Sequence, residues 1–211
     1  MTGRATNKSI VFVIDDEASV RTALKELFES VGLKVVLFSS ANEFLENTMP
    51  DATCCMVLDV RMPDMSGLKL QEELLKADIQ VPIVFVSGHA NTAMVVRAMK
   101  AGAVDFLAKP FNAQDLLDAV FDALERDRAR RTQEESLSTL RERFRSLSVR
   151  EREVLSHVTT GRLNKQIAAD LGVSEVMVKV HRANGMRKMH ASSVAELVRM
   201  IDLLRAGQVL N

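Results

Sequence analysis

The first 124 residues alternate between two hydrophobic patterns. Short β-rich runs occur at Ile10–Ile14, Val35–Phe38, Cys54–Leu58, Val81–Val86 and Asp105–Leu107. Between them, apolar positions recur at three and four residues, as on a helix with one buried face. Val20, Leu24, Leu27, Phe28 and Val31 form one such set, followed by Leu68, Leu74 and Leu75. Met94, Val95, Ala98 and Met99 form the next, and Leu116, Leu117, Val120, Phe121 and Leu124 the last. Five strands alternating with five helices predict an α/β fold with a doubly wound parallel sheet. The strands are almost unbroken apolar runs, as expected for a sheet covered on both faces.

The pattern changes after Leu124. Glu125–Ser136, ERDRARRTQEES, has no apolar residue except Ala129 and no Gly or Pro, which predicts a solvated helical connector. Helical spacing resumes at Leu137, Leu140, Phe144 and Leu147, and four short helices follow, broken at Gly161, Gly172 and around 189–193. The predicted organisation is an α/β domain over 9–124, a helical linker over 125–146 and a small all-α domain over 147–211.

Composition adds a division of charge. With 47% hydrophobic and 27% charged residues the chain is of ordinary globular type, and its apolar runs are far too short to span a bilayer. The start, MTGRATNKS, has no apolar core of the kind a secretory signal needs. Cys54 and Cys55 are adjacent, which suits neither a disulfide framework nor a zinc site and points to a reducing cytoplasm. The net charge of zero hides 11 Lys/Arg against 17 Asp/Glu in 1–124, and 17 against 11 in 125–211. A basic half suits a polyanion, and an acidic half needs cations to hold its carboxylates together.

In a parallel sheet the strand C-terminal ends line one edge, where ligands bind. The first strand ends in Asp15-Asp16 and the third in Asp59, followed by Arg61. The fourth ends in Ser87, and Lys109 follows the fifth. Three converging carboxylates call for a cation, and an all-oxygen donor set suits Mg²⁺. Asp59 could then attack a phosphoryl donor while Mg²⁺ and Lys109 offset charge on the transferring group. The plainer reading, that Asp15 and Asp16 cap the following helix, leaves Asp59 and Lys109 unexplained.

These separated positions resemble a two-component response-regulator receiver domain, of flavodoxin-like fold, over residues 9–124. The resemblance implies that Asp59 is the phosphoacceptor, with Asp15, Asp16, Asp59 and the Arg61 backbone carbonyl as the Mg²⁺ site. It also implies that Ser87 is the switch hydroxyl, that Lys109 contacts the phosphoryl oxygens, and that Phe106 is a switch aromatic. Phe106 also reads simply as a core residue. A cis Lys109-Pro110 bond is expected. SGHANTAMVVRAMKAGAVDFLAKPF (Ser87–Phe111) is similar to the FixJ-type branch, with Ala93 where a proline is common.

In the basic half, Asn164 is expected to cap a helix over Lys165–Leu171, Gly172 to make a turn, and Ser174 to cap a second helix. On that second helix Val178, Gly185 and Met189 form a core stripe. Val176, Lys179, Val180, Ala183 and Arg187 form an outer stripe suited to a major groove. Lys179 can donate to a guanine edge and Val180 can pack on a thymine methyl. Lys165, Arg182, Arg187 and Lys188 suit phosphates, unless they only solvate the surface. LSVREREVLSHVTTG, NKQIAADLGVSEVMVKVHRANGMRKM and SSVAELVRM resemble a LuxR-type helix-turn-helix. His181 either orients the helix or reads a base. Gly185 either admits a close helix contact or softens the helix. Met177, Leu163 and Ala183 depart from the family pattern.

Together these readings imply a cytoplasmic transcription regulator, not an enzyme. It would be phosphorylated by a sensor histidine kinase, bind double-stranded DNA, dimerise on phosphorylation and act with RNA polymerase, with no membrane partner. One alternative is a phosphorylation-dependent adaptor with a weakened DNA-binding helix. Another is a hydrolase with Asp59 as nucleophile, but Asp59-Val60-Arg61 lacks the second carboxylate such an enzyme needs.

Overall fold

A computed structural model describes residues 9–209. The chain divides into two compact units whose boundary falls between Arg131 and Thr132. In the first, β1 (Ile10–Ile14), β2 (Lys34–Phe38), β3 (Cys54–Asp59), β4 (Ile83–Ser87) and β5 (Asp105–Ala108) form one parallel sheet in the order β2-β1-β3-β4-β5. The helices are α1 (Ala18–Ser30), α2 (Ala41–Leu45), α3 (Gly67–Lys76), α4 (Thr92–Lys100) and the start of α5 (Ala113–Arg145).

Strand residues alternate between two cores. Phe12, Met56, Leu58 and Phe85 pack with Phe44, Leu70, Leu74 and Ala98. Val11, Val13, Val57 and Val84 pack with Leu24, Phe28, Leu116 and Val120 on the other face. Burial on both faces explains the unbroken apolar strands. Cys54 belongs to the first core and Cys55 to the second, so the adjacent thiols face opposite sides of the sheet. β4 begins two residues later than its apolar run, because Pro82 has no N–H for the ladder and instead accepts from the Met56 amide. Ala93 does not disturb the entry to α4, since Asn91 Oδ1 caps it by accepting from Met94 N at 2.9 Å.

α5 is one helix of 33 residues. The expected solvated connector is corrected at its start: Asp127 is fully buried, and α5 stays with the first unit through Arg131. Farther along, Leu140 joins the core of the second unit, flanked by Leu137 and Phe144.

The second unit adds α6 (Val149–Thr159), α7 (Asn164–Leu171), α8 (Glu175–Met189) and α9 (Val194–Val209) around Leu147, Val154, Leu155, Val158, Ile167, Val178, Met189 and Leu197. Ser148 and Glu151 form a reciprocal capping box at α6. Gly172 is left-handed at φ 64°, and Ser174 Oγ caps α8 through Met177 N at 3.2 Å. Asn164 is not the cap of α7. It is the first helical residue, and Gln166 Oε1 accepts from Leu163 N at 2.9 Å instead. The Asn164 side chain is held by Arg182 at 3.3 Å.

Gly185 makes a close contact with α6. A Cβ there would stand 2.8 Å from Leu155 Cδ1 and 3.0 Å from its Cγ, and Leu155 is itself buried. Overpacking a filled core costs about 1–3 kcal/mol, more than the ~1 kcal/mol of helix propensity that alanine would return. Gly185→Val is therefore expected to destabilise the protein by about 2–3 kcal/mol, and by much less in a Leu155→Ala background. Chemical unfolding of the four proteins of this cycle checks it. An equal cost in both backgrounds would rule out the contact as the cause.

Candidate functional site

Three of the expected residues meet directly at the C-terminal edge of the sheet. Asp15 follows β1 and is 1% exposed, and Asp59 ends β3 and is 5% exposed. Lys109 Nζ lies 2.8 Å from Asp15 Oδ2 and 2.9 Å from Asp59 Oδ1, bridging them. The Arg61 amide donates to Asp59 Oδ2 at 2.6 Å, so the loop after β3 orients the carboxylate by its backbone. Ser87 ends β4 fully buried, its Oγ accepts from His89 N at 3.3 Å, and its carbonyl accepts from Lys109 N at 2.8 Å. The Lys109-Pro110 bond is cis.

Asp16 and Phe106 do not join this bonded set. The Asp16 residue is exposed, and among the described residues no three His, Cys, Asp or Glu side chains are grouped as a metal cluster. Phe106 is half-buried on β5, its ring 6.0 Å from that of Phe85 with 31° between the planes.

The pocket is electrostatically unbalanced. Two buried carboxylates face one ammonium. Burial pushes the Asp59 carboxyl above its ordinary value; Lys109 pulls it back, and the neighbouring Asp15 raises it further. For Lys109, burial favours the neutral amine, but its bonds to Asp15 and Asp59 outweigh that and hold it protonated. An all-oxygen set one positive charge short of neutral fits a hard divalent cation.

Two supporting residues went unnoticed in the sequence. Arg21 Nη1, on α1, donates to the Asp15 and Asp16 carbonyls at 2.7 and 2.9 Å and fixes the loop that carries them. Gly67 opens α3 against the acceptor: a Cβ there would stand 2.3 Å from the Asp59 carbonyl oxygen and 2.9 Å from Leu58 Cγ, while its N–H donates to the Val60 carbonyl. The only available cue was the Ser66-Gly67 step before an apolar helix.

In the second unit, α7, the Gly172 turn and α8 form a helix-turn-helix. Val178, Gly185 and Met189 are buried, whereas Val176, Lys179, Val180, Ala183 and Arg187 are exposed. Val176 is 68% exposed and Val180 46%, so both add apolar area to the outer face of α8. Leu163 and Met177 are also exposed. Lys165 is exposed and His181 half-buried. Lys179 pairs with Glu175 at 3.4 Å, and Arg187 bonds Asn184 at 3.1 Å. Arg182 is engaged by Asn164. Lys188, expected on phosphate, reaches inward to Glu151 Oε2 at 2.7 Å and the Ser146 carbonyl at 3.2 Å. That ammonium holds the Glu151 carboxyl below its usual range.

A parallel sheet with two buried aspartates and a lysine at its C-terminal edge, joined to a helix-turn-helix, defines a signal-receiving DNA-binding protein. Comparison with known proteins agrees. Residues 11–121 match the response regulator receiver domain, and residues 145–201 match the bacterial regulatory proteins of the luxR family. The chain is 53% identical over 200 residues to Nodulation protein W of Bradyrhizobium diazoefficiens, covering 95% of this chain and 88% of that one. It is 47% identical over 197 residues to Response regulator protein TodT of Pseudomonas putida, covering 93% and 87%. The solved structure of response regulator StyR matches with TM-score 0.86 and 47% identity, over 92% of this chain and 98% of that one. The chain belongs to the two-component response regulators with a LuxR-type DNA-binding domain, and is a phosphorylation-regulated transcription regulator.

Gly67→Ala should displace the backbone that carries Asp59. Because the obstruction is a carbonyl oxygen and not a flexible side chain, a stability loss of about 2–3 kcal/mol is expected, with slowed phosphoryl uptake. Unfolding curves and phosphorylation time courses check this, and a variant matching wild type in both would contradict the contact.

Proposed function

We propose that Asp59 takes a phosphoryl group from the phosphohistidine of a sensor histidine kinase, and that the outer face of α8 reads duplex DNA. The observation that carries the first part is the Lys109 ammonium held between Asp15 and Asp59. Asp15, Asp16, Asp59 and the Arg61 carbonyl would hold Mg²⁺, which when bound offsets negative charge on the phosphoryl group. An Asp59 carboxylate oxygen attacks phosphorus, and the phosphorus–nitrogen bond breaks with its electron pair leaving on the imidazole. Lys109 follows the phosphoryl oxygens from its place at Asp59 Oδ1. The Ser87 hydroxyl donates to one of them. Phe106 turns inward from its half-buried position, altering the face that carries α4 and β5. Val96 and Met99 of α4 are exposed apolar residues, which supports pairing of two phosphorylated copies there. The domain roles proposed are a receiver over 9–124, a helical linker over 125–146 and a DNA-binding domain over 147–211. No helix among the described residues is long and apolar enough to cross a membrane.

Treatment with acetyl phosphate and Mg²⁺ is expected to place an acid-labile phosphoryl group on Asp59, detected by intact mass, and to raise affinity for an operator selected from a random duplex pool. Asp59→Asn should show neither effect. If Asp59→Asn binds that operator as phosphorylated wild type does, in the same oligomeric state, the phosphoacceptor reading fails.

On the DNA side, Lys179→Ala should cost about 1–3 kcal/mol on the preferred operator and relax selectivity at one position. Arg187→Ala should instead weaken all duplexes similarly and reduce the slope of log K against log salt by about 1. Binding titrations across salt concentrations, on selected and random duplexes, separate the two.

A further inference from the structure

Leu116, Val120, Ala123 and Leu124 of α5 pack on the sheet. The next position on that buried stripe, at helical spacing, is Asp127, fully buried where an apolar residue would continue the core. Its carboxylate is surrounded by donors. Oδ2 accepts from the Cys54 amide at 2.9 Å and from Arg131 Nε at 2.8 Å, and Oδ1 accepts from Arg130 Nη2 at 2.5 Å. Arg131 continues outward to Asp51 Oδ1 at 3.0 Å and the Pro50 carbonyl at 3.5 Å. The two arginines stand three and four residues after Asp127, which places all three on one helix face. This clasp ties α5 to the segment Pro50–Cys54.

Cys54 is the first residue of β3, and Asp59 is the last. The two lie about 17 Å apart along one strand buried on both faces. The compact unit ends at Arg131, the clasp's final residue, whereas the receiver match ends at residue 121. Asp127 therefore lies beyond the part of the chain the family model describes, at the point where α5 leaves the sheet.

We propose that Asp127 is a positioning residue for the phosphorylation output: it anchors α5 to the start of β3, so that rearrangement at Asp59 moves α5 as a rigid lever and not as a loose tether. The physical requirement is strict. A buried carboxylate is tolerated only when its charge and lone pairs are matched. The Cys54 N–H would be an orphan donor at the strand start without it. A leucine at 127 would satisfy the core but leave the Cys54 amide without its acceptor and remove the link from α5 to the start of β3, so an apolar stripe alone does not give the same anchor. The proposal rests on Asp59 being the phosphoacceptor.

The test uses the full chain, acetyl phosphate with Mg²⁺, and the duplex selected by phosphorylated wild type. Asp127→Asn keeps the size and an acceptor for the Cys54 amide but removes the charge that holds the guanidiniums. It should take up phosphoryl at close to the wild-type rate and bind DNA as wild type does when unphosphorylated. Its phosphorylation-dependent gain in DNA affinity should fall by about five-fold or more. Amide exchange at Cys54 and along 128–134 should rise. A merely structural role would not lower the gain while leaving phosphoryl uptake and unphosphorylated DNA binding intact. An undiminished gain overturns the proposal, and so does impaired phosphoryl uptake in a folded variant, which would place the clasp's effect at the acceptor site itself. If Asp127→Asn does not fold, Arg131→Gln is read by the same criteria, since Arg131 is at the solvent side of the clasp. Wild type and Asp59→Asn run in parallel: a wild type that gains nothing on phosphorylation removes the acceptor reading and this one together, whereas a failure confined to Asp127 and Arg131 removes only this one.

Discussion

The Lys109 ammonium shared by Asp15 and Asp59 is the interaction on which the rest depends. Its partners lie 94 and 50 residues away in sequence. The parallel sheet brings the ends of β1, β3 and β5 to one edge, where the Lys109 side chain reaches both carboxylates. The burial that builds this edge also sets its chemistry. Desolvation raises the energy of each carboxylate, and one lysine cannot neutralise two. The pocket is thus stable enough to form and unbalanced enough to answer strongly to added charge, whether a cation or a phosphoryl group. A solvated cluster of the same residues would respond weakly, because water would screen it.

Much of this was legible in the sequence because one physical rule governed each legible feature. Strands buried on both faces read as apolar runs, and Asp15, Asp59, Ser87 and Lys109 stand at or just past the C-terminal ends of those runs. The features that escaped obey rules that periodicity cannot see. Gly67 is required by the approach of a carbonyl 2.3 Å from its absent Cβ, which depends on how two elements cross. Arg21 acts on backbone carbonyls and leaves no charge pattern. The class of protein and its α/β-plus-helical architecture were nonetheless reached correctly from the same residues.

Two misreadings have a common origin in treating charged or polar side chains as outward-facing by default. Lys188 lies on the basic helix but reaches inward because Glu151, fixed in the α6 capping box, offers a buried carboxylate. Asp127 looks like part of a solvated connector because its neighbours are charged, yet it falls on the stripe of Val120, Ala123 and Leu124. A charged residue at a core register is better read as a request for partners, and Arg130 and Arg131 at three and four residues' distance are the visible answer. Asparagine suits a helix cap, which made Asn164 the natural choice for α7, but the helix starts one residue earlier and Gln166 reaches back from inside it to accept from the Leu163 amide.

Helix α8 is held on its inner side by steric and ionic contacts at once. Gly185 leaves no room for a Cβ against Leu155, and Lys188 is tied to Glu151, so both fix α8 to α6. A helix seated in this way has little freedom to change its own shape, and cores are bistable or rigid more often than gradually deformable. On the proposed reading, phosphorylation acts through how whole α8 surfaces are presented or paired and not by remodelling α8. That requirement falls on α5, the one element among those described that contributes to the cores of both units through Leu116 and Leu140. On the proposal that Asp127 anchors α5, the stiffness of that attachment sets how much of the charge change at Asp59 reaches the exposed face of α8.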